Sequence, residues 1–265
     1  MRKPTHLAYC ICVLGVILMQ LCSAYAAPSS LDLLLDRAGK QSSTFLDQFS
    51  QVKCTEQVTQ EKLGNEGKLV YRQQSTYDYL VILTNAGGEL SLDESRLAVH
   101  EAKLEKKNMS LLVSNGFATL FLIFHPYYSN GFRFTDLGQE VVAGRTLEKI
   151  GFEHVRGLRT PAALALRGRE YPLELTGTAW LEPQTGALVR ITAGVDKGLD
   201  DIGMKWLRSD VQFAPITYRD TDETIWFPLE ASVEVETPRQ HWRNTHHFTD
   251  YKRFSVSTEE KVAKQ

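Results

Sequence analysis

The sequence predicts an α+β protein that is mainly β: a strongly curved antiparallel sheet, a half-closed β-barrel, with an N-terminal helix and an embedded apolar helix in the concavity. Three observations predict it. Hairpin signals recur along the chain, no alternation of strand and helix suggests a parallel sheet, and one internal run is apolar on every side. Roughly nine to eleven strands are expected against two principal helices.

The clearest hairpin runs from Leu175 to Ala193. Two β-prone runs, Thr176–Leu181 and Ala187–Thr192, flank Glu182-Pro183-Gln184-Thr185-Gly186. Proline sets φ early in this turn, and Gly186 can take a positive φ. A second hairpin pairs Val211–Tyr218 with Ile225–Glu236, where Phe227, Leu229, Ala231, Val233 and Val235 alternate with polar positions as one inward face. Alternation from Tyr71 to Leu83 predicts a half-buried strand, and Ala86-Gly87-Gly88-Glu89 turns it into Leu90–Val99. Phe132–Thr135 and Leu147–Val155 read as strands, Gly157–Arg169 carries no clear pattern, and Asn244–Val256 supplies a last strand before a frayed tail.

Leu31, Leu34, Leu35 and Ala38 recur at helical spacing behind a serine able to cap, and Phe45, Leu46 and Phe49 continue the stripe past Gly39. A helix to about Gln48 follows. Between Ser114 and Tyr128 the residues Phe117, Ala118 and Leu120–Phe124 are apolar nearly all round, with Pro126 just past the end. Such a helix must be buried. Ser114-Asn115-Gly116 before it and Ser129-Asn130-Gly131 after it have the composition of hinges, so the segment is expected to move as a lid, with Phe121 and Phe124 among the contacts exchanged.

Met1-Arg2-Lys3, the apolar run Leu7–Leu21 and the small residues around Ala26 predict a signal peptide over 1–26 and one domain over 27–265. Its removal takes Cys10, Cys12 and Cys22, so Cys54 alone remains and no internal disulfide is possible. Cys54 shares a strand side with Val52 and Val58, which predicts a buried, inert thiol. Losing Arg2 and Lys3 leaves 28 of the 30 basic residues against all 32 acidic ones, a formal charge of −4. A nucleic-acid partner is disfavoured.

No phosphate-binding glycine loop, Cys-x-x-Cys, His-Glu-x-x-His or Gly-x-Ser-x-Gly is present, and the sequence is read as a non-enzyme with no catalytic residues, cofactor or metal. Adjacent His246 and His247 point to opposite faces of a strand, which disfavours a shared ion, and Glu230, Glu234 and Glu236 fit a solvated sheet face. Asp200-Asp201 matches no calcium loop, and Asn108-Met109-Ser110 fits a glycosylation sequon. Trp180, Trp206, Trp226 and Trp242 either fill a core or line a ligand cavity.

A signal peptide, an amphipathic helix, paired strands, an embedded apolar helix, the run Gly177-Thr178-Ala179-Trp180-Leu181-Glu182-Pro183-Gln184-Thr185-Gly186 with Val189-Arg190-Ile191, and Ile225-Trp226-Phe227-Pro228 come in that order. In this the chain resembles the periplasmic lipoprotein-carrier superfamily, which includes outer-membrane lipoprotein carriers and sorting proteins. The resemblance implies a half-barrel holding acyl chains. Phe117, Phe121, Phe124, Trp180, Trp206 and Trp226 are the candidate ligand-binding residues. The expected function is a secreted, periplasmic protein that carries a lipid-like or acyl-chain ligand, with lipid or lipoprotein acyl chains as partners. The alternative is a cell-envelope structural or protein-interaction module with a filled core, an envelope protein as partner and Asn244–Val256 as its edge strand.

Overall fold

The computed structural model describes residues 29–86, 89–99, 116, 118–166, 169–195, 203–218 and 224–254. In chain order these form α1 (Ser30–Phe49), β1 (Val52–Leu63), β2 (Leu69–Ala86), β3 (Glu89–Ala98), a 3₁₀ turn (Leu120–Phe124), α2 (Pro126–Ser129), β4 (Phe132–Val142) and β5 (Arg145–His154). There follow β6 (Ala163–Leu166), β7 (Arg169–Pro172), β8 (Thr176–Leu181), β9 (Leu188–Val195), β10 (Trp206–Thr217), β11 (Thr224–Glu236) and β12 (His241–Arg253). The signal-peptide region, Phe117, the Asn108 sequon, Asp200-Asp201 and the tail after 254 lie outside the described residues.

Ten strands make one sheet in the order β3-β2-β1-β12-β11-β10-β9-β8-β5-β4, and β6 and β7 pair separately in the stretch that shows no clear pattern. All pairings are antiparallel. Laid flat, ten strands would span roughly 43 Å at the usual spacing. Yet one core cluster joins Val81 of β2, Phe248 of β12, Phe213 of β10 and Phe132 of β4 with Phe45 and Phe49 of α1. The sheet therefore wraps around α1, and β3 and β4 do not meet to close it.

Local chemistry places the helix. Ser29 caps α1 as part of a capping box: its Oγ accepts from the Asp32 N–H at 3.1 Å, and the Asp32 carboxylate accepts from the Ser29 N–H at 3.0 Å. Leu34, Ala38, Phe45, Leu46 and Phe49 face the sheet. Gly39 does not interrupt the helix, and it lets the 3₁₀ turn approach closely: a Cβ there would lie 3.2 Å from the Phe124 carbonyl oxygen.

Among the described residues of the expected Ser114–Tyr128 helix, the structure has two short pieces instead, although Leu120, Phe121, Leu122, Ile123 and Phe124 are all buried as its apolar pattern requires. Pro126 is the reason. A residue before proline is driven out of the helical region, and His125 is extended at φ −63°, ψ 137°. Proline then opens α2 at its first turn, with His125 Nδ1 accepting from the Tyr127 N–H at 3.2 Å. Burial holds the His125 imidazole below its ordinary pKa, which suits an acceptor.

The hairpin over β8 and β9 has the expected turn, with Gly186 at φ 74° and its N–H donating to the Glu182 carbonyl at 2.8 Å. In β11 the inward face holds at Phe227, Ala231, Val233 and Val235 but fails at Leu229, which is 45% exposed. Gln212 pairs with Glu230 and Phe213 with Pro228, so Leu229 is an extra bulge residue without a partner on β10. The last strand is also corrected: β12 is no edge but lies between β1 and β11.

Candidate functional site

Between one flank of α1, the 3₁₀ turn and the ends of β9, β10 and β11 lies a cavity of about 260 Å³. Its apolar walls are Phe45, Phe121, Phe124, Phe213, Ile225 and Trp226, and Gln41, Thr44 and Gln48 form a polar border on α1. Phe45 and Phe121 meet with ring centroids 4.0 Å apart, and Ser42 Oγ donates to the Phe121 carbonyl at 3.2 Å, which fixes the 3₁₀ turn against the helix. Phe124 also lines a more open cleft of about 650 Å³ between α1 and β4, where it stacks on Phe134 at 5.4 Å. The Arg145 guanidinium lies 4.7 Å from the centre of the Trp226 ring and also pairs with Glu182 in the β8–β9 turn.

Of the residues the sequence singles out, Phe121, Phe124 and Trp226 come together here. Trp180 and Trp206 do not. Ala179, Leu181 and Leu207 point into the core, so alternation puts these two tryptophans on the outer face. Trp180 donates to Glu140 at 3.1 Å and lies between the Lys149 and Arg190 cations, and Trp206 donates to Glu236 at 3.1 Å beneath Arg208. The hydrogen-bond needs of each indole are met by outer-face neighbours. Gly131, which composition suggests as a hinge, is a packed position where a Cβ would lie 2.2 Å from the Arg159 carbonyl oxygen.

A second polar feature sits inside the core. Glu56 is completely buried on β1; Arg96 donates to it at 2.6 Å and 2.9 Å and to Glu94 at 2.8 Å. His246 Nδ1 lies 2.7 Å from Glu56 Oε1, and the Gly116 N–H donates to Glu94 at 2.6 Å. Burial pushes the Glu56 carboxyl up, but the hydrogen bonds from His246 and Arg96 and the Arg96 charge outweigh it, so it is held below the usual range. Burial prevails at Glu94, whose pKa is raised despite Arg96. The sequence carries a signal for Glu56, since strict alternation from Val52, Cys54 and Val58 turns it inward. Nothing local in the sequence announces its partners on β3 and β12. A chain of ring contacts links the cluster to the cavity wall: Arg96 lies over Tyr79 at 5.1 Å, Tyr79 meets Phe49 at 6.3 Å, and Phe49 meets Phe45 at 4.9 Å.

His246 is buried and His247 exposed, on opposite faces of β12. The outer carboxylates are engaged one by one: Glu230 with His247 at 3.3 Å, Glu234 with His241 at 2.5 Å and Glu236 with Lys205 at 2.7 Å.

No protein-family model and no curated protein matches the sequence. Among solved structures, the chain is similar to a DUF1329 family protein from Desulfovibrio piger at 11% identity and a TM-score of 0.47, over 88% of this chain and 96% of that one. It is also similar to a putative outer membrane lipoprotein-sorting protein domain from Vibrio parahaemolyticus, at 13% identity and a TM-score of 0.41, over 85% and 94%. The Mycobacterium tuberculosis lipoprotein LppX matches at 12% identity and a TM-score of 0.24, over 86% and 98%.

Proposed function

We propose that this chain is exported to the periplasm and there holds a lipid-like or acyl-chain ligand in the cleft between α1, the 3₁₀ turn and the sheet. The observation that carries the proposal is the cavity walled by Phe45, Phe121, Phe124, Phe213, Ile225 and Trp226 inside an open antiparallel sheet. Each buried CH₂ contributes about 0.8 kcal/mol, so a chain of some ten methylenes contributes about 8 kcal/mol before the costs of association. The mechanism is reversible shielding of a chain from water, with export supported by the amino-terminal sequence pattern. The proposal is a binding protein and not an enzyme.

Gentle purification followed by extraction and mass spectrometry tests this. Co-purified lipid, or saturable uptake of an apolar dye, is the expected result. Absence of both contradicts it. A stable protein partner without lipid favours an interaction module instead, docking at β3 or β4, the strands that have one partner each in the ten-stranded sheet.

A further inference from the structure

The polar border of the cavity has an unbalanced charge at one end. Arg37, Gln41, Thr44 and Gln48 follow one another at spacings of four, three and four along α1, which places them on one stripe of the helix. The last three line the cavity. Arg37 sits one turn before them, where the β8–β9 turn presses against the helix: a Cβ on Gly186, itself part of the cavity wall, would lie 2.5 Å from the Ala38 nitrogen and 2.8 Å from Arg37 Cβ.

Arg37 is half-buried, and its Nε is out of contact with water and makes no hydrogen bond among the described residues. A guanidinium carries five donors and a permanent charge, so a buried N–H without an acceptor is costly. The neighbouring carboxylates are committed elsewhere. Asp36 pairs with Lys40 at 2.7 Å, and Glu182, in the turn beside Arg37, pairs with Arg145. The site therefore joins an apolar cavity to a cation that has no counter-charge among the described residues.

We propose that the occupant is a single-chain amphiphile with an anionic headgroup, a carboxylate or a phosphate, that is met by Arg37 while its chain lies beside Gln41, Thr44 and Gln48. Size supports one chain. The cavity of about 260 Å³ falls just below the roughly 300–1,000 Å³ of sites for drug-sized ligands, and α1 rises about 16 Å from Arg37 to Gln48. The anionic headgroup supplies the counter-charge that the half-buried Arg37 guanidinium lacks among the described residues, and charge-assisted bonds are about twice as strong as neutral ones. This inference rests on the cavity binding a chain at all.

Displacement titrations with dodecanoate, dodecyl phosphate, dodecyltrimethylammonium and dodecanol separate the two ideas. At least one of the two anions is expected to bind about tenfold more tightly than dodecanol, and the tighter of them names the headgroup class. Arg37→Gln should bring that ratio to about twofold or less by weakening the anion far more than dodecanol, and Arg37→Lys, which keeps the charge, should retain most of the ratio. Dodecanol or the ammonium amphiphile binding as tightly as both anions overturns the headgroup assignment and leaves the cavity intact. So does an anion preference that survives Arg37→Gln. Failure of all four to bind overturns the cavity as well.

Discussion

At the scale of single residues, the positions that depart from simple alternation are the informative ones. Glu56 and Glu94 share Arg96 inside the core, so Arg96→Met leaves two buried carboxyls without their cation and is expected to lower stability by about 3–5 kcal/mol in denaturant titrations at neutral pH. The sign of its pH dependence follows from Glu56. Its folded pKa lies below the unfolded value of about 4.3, so its stabilisation is present above that value and is lost as pH falls through the folded one. The deficit of Arg96→Met should therefore shrink in acid; a deficit constant from neutral pH to pH 3 contradicts the charge account. Cys54 tests the burial of β1 separately. Burial, and then the Glu56 charge, push its thiol up to about 12, so a chain starting at residue 27 should react with a thiol reagent at pH 8 only after unfolding. Gly186 was legible because its turn is local, and its φ of 74° is the one the turn demands. Gly186→Ala adds a Cβ in that strained region and against the α1 backbone, and a loss of at least about 1–3 kcal/mol is expected by thermal or chemical denaturation.

Among the elements, those specified by nearby residues match their sequence signals and those set by distant pairing do not. The Ser29 cap is local, and Ser29→Ala should reduce stability by about 0.5–2 kcal/mol, with helix content outside α1 unchanged by circular dichroism. The 3₁₀ turn is an exception among the locally specified elements. Its apolar character gave burial correctly, but the proline that ends it also starts α2, so composition alone overestimates the helix. The bulge that expels Leu229 depends on the register between β10 and β11, which the alternation of either strand does not contain. Likewise, that β12 runs between β1 and β11 is a long-range fact: Thr59 pairs with Thr245, and no local pattern records it.

In the molecule as a whole, ten antiparallel strands curve around one helix and leave a lined cavity along one flank of it and a paired charge cluster deeper among the aromatic side chains. Antiparallel pairing follows from the hairpin pattern, whereas the choice of β3 and β4 as open edges depends on the long-range pairing of β12. The site was legible only in part: the apolar run marks Phe121 and Phe124, and its large ring marks Trp226, whereas the outward placement of Trp180 and Trp206 depends on strand parity. The central claim is that this cavity accepts an apolar chain, and titration with a fluorescent apolar probe tests it most directly. Gln41 lines the cavity from the exposed side of α1, so Gln41→Trp can fill the space with little effect on the core. The account predicts one saturable site per chain in the parent protein and a loss of at least about tenfold in affinity in Gln41→Trp. Probe binding of equal affinity in both proteins, with the variant folded as judged by its unfolding transition, would contradict it.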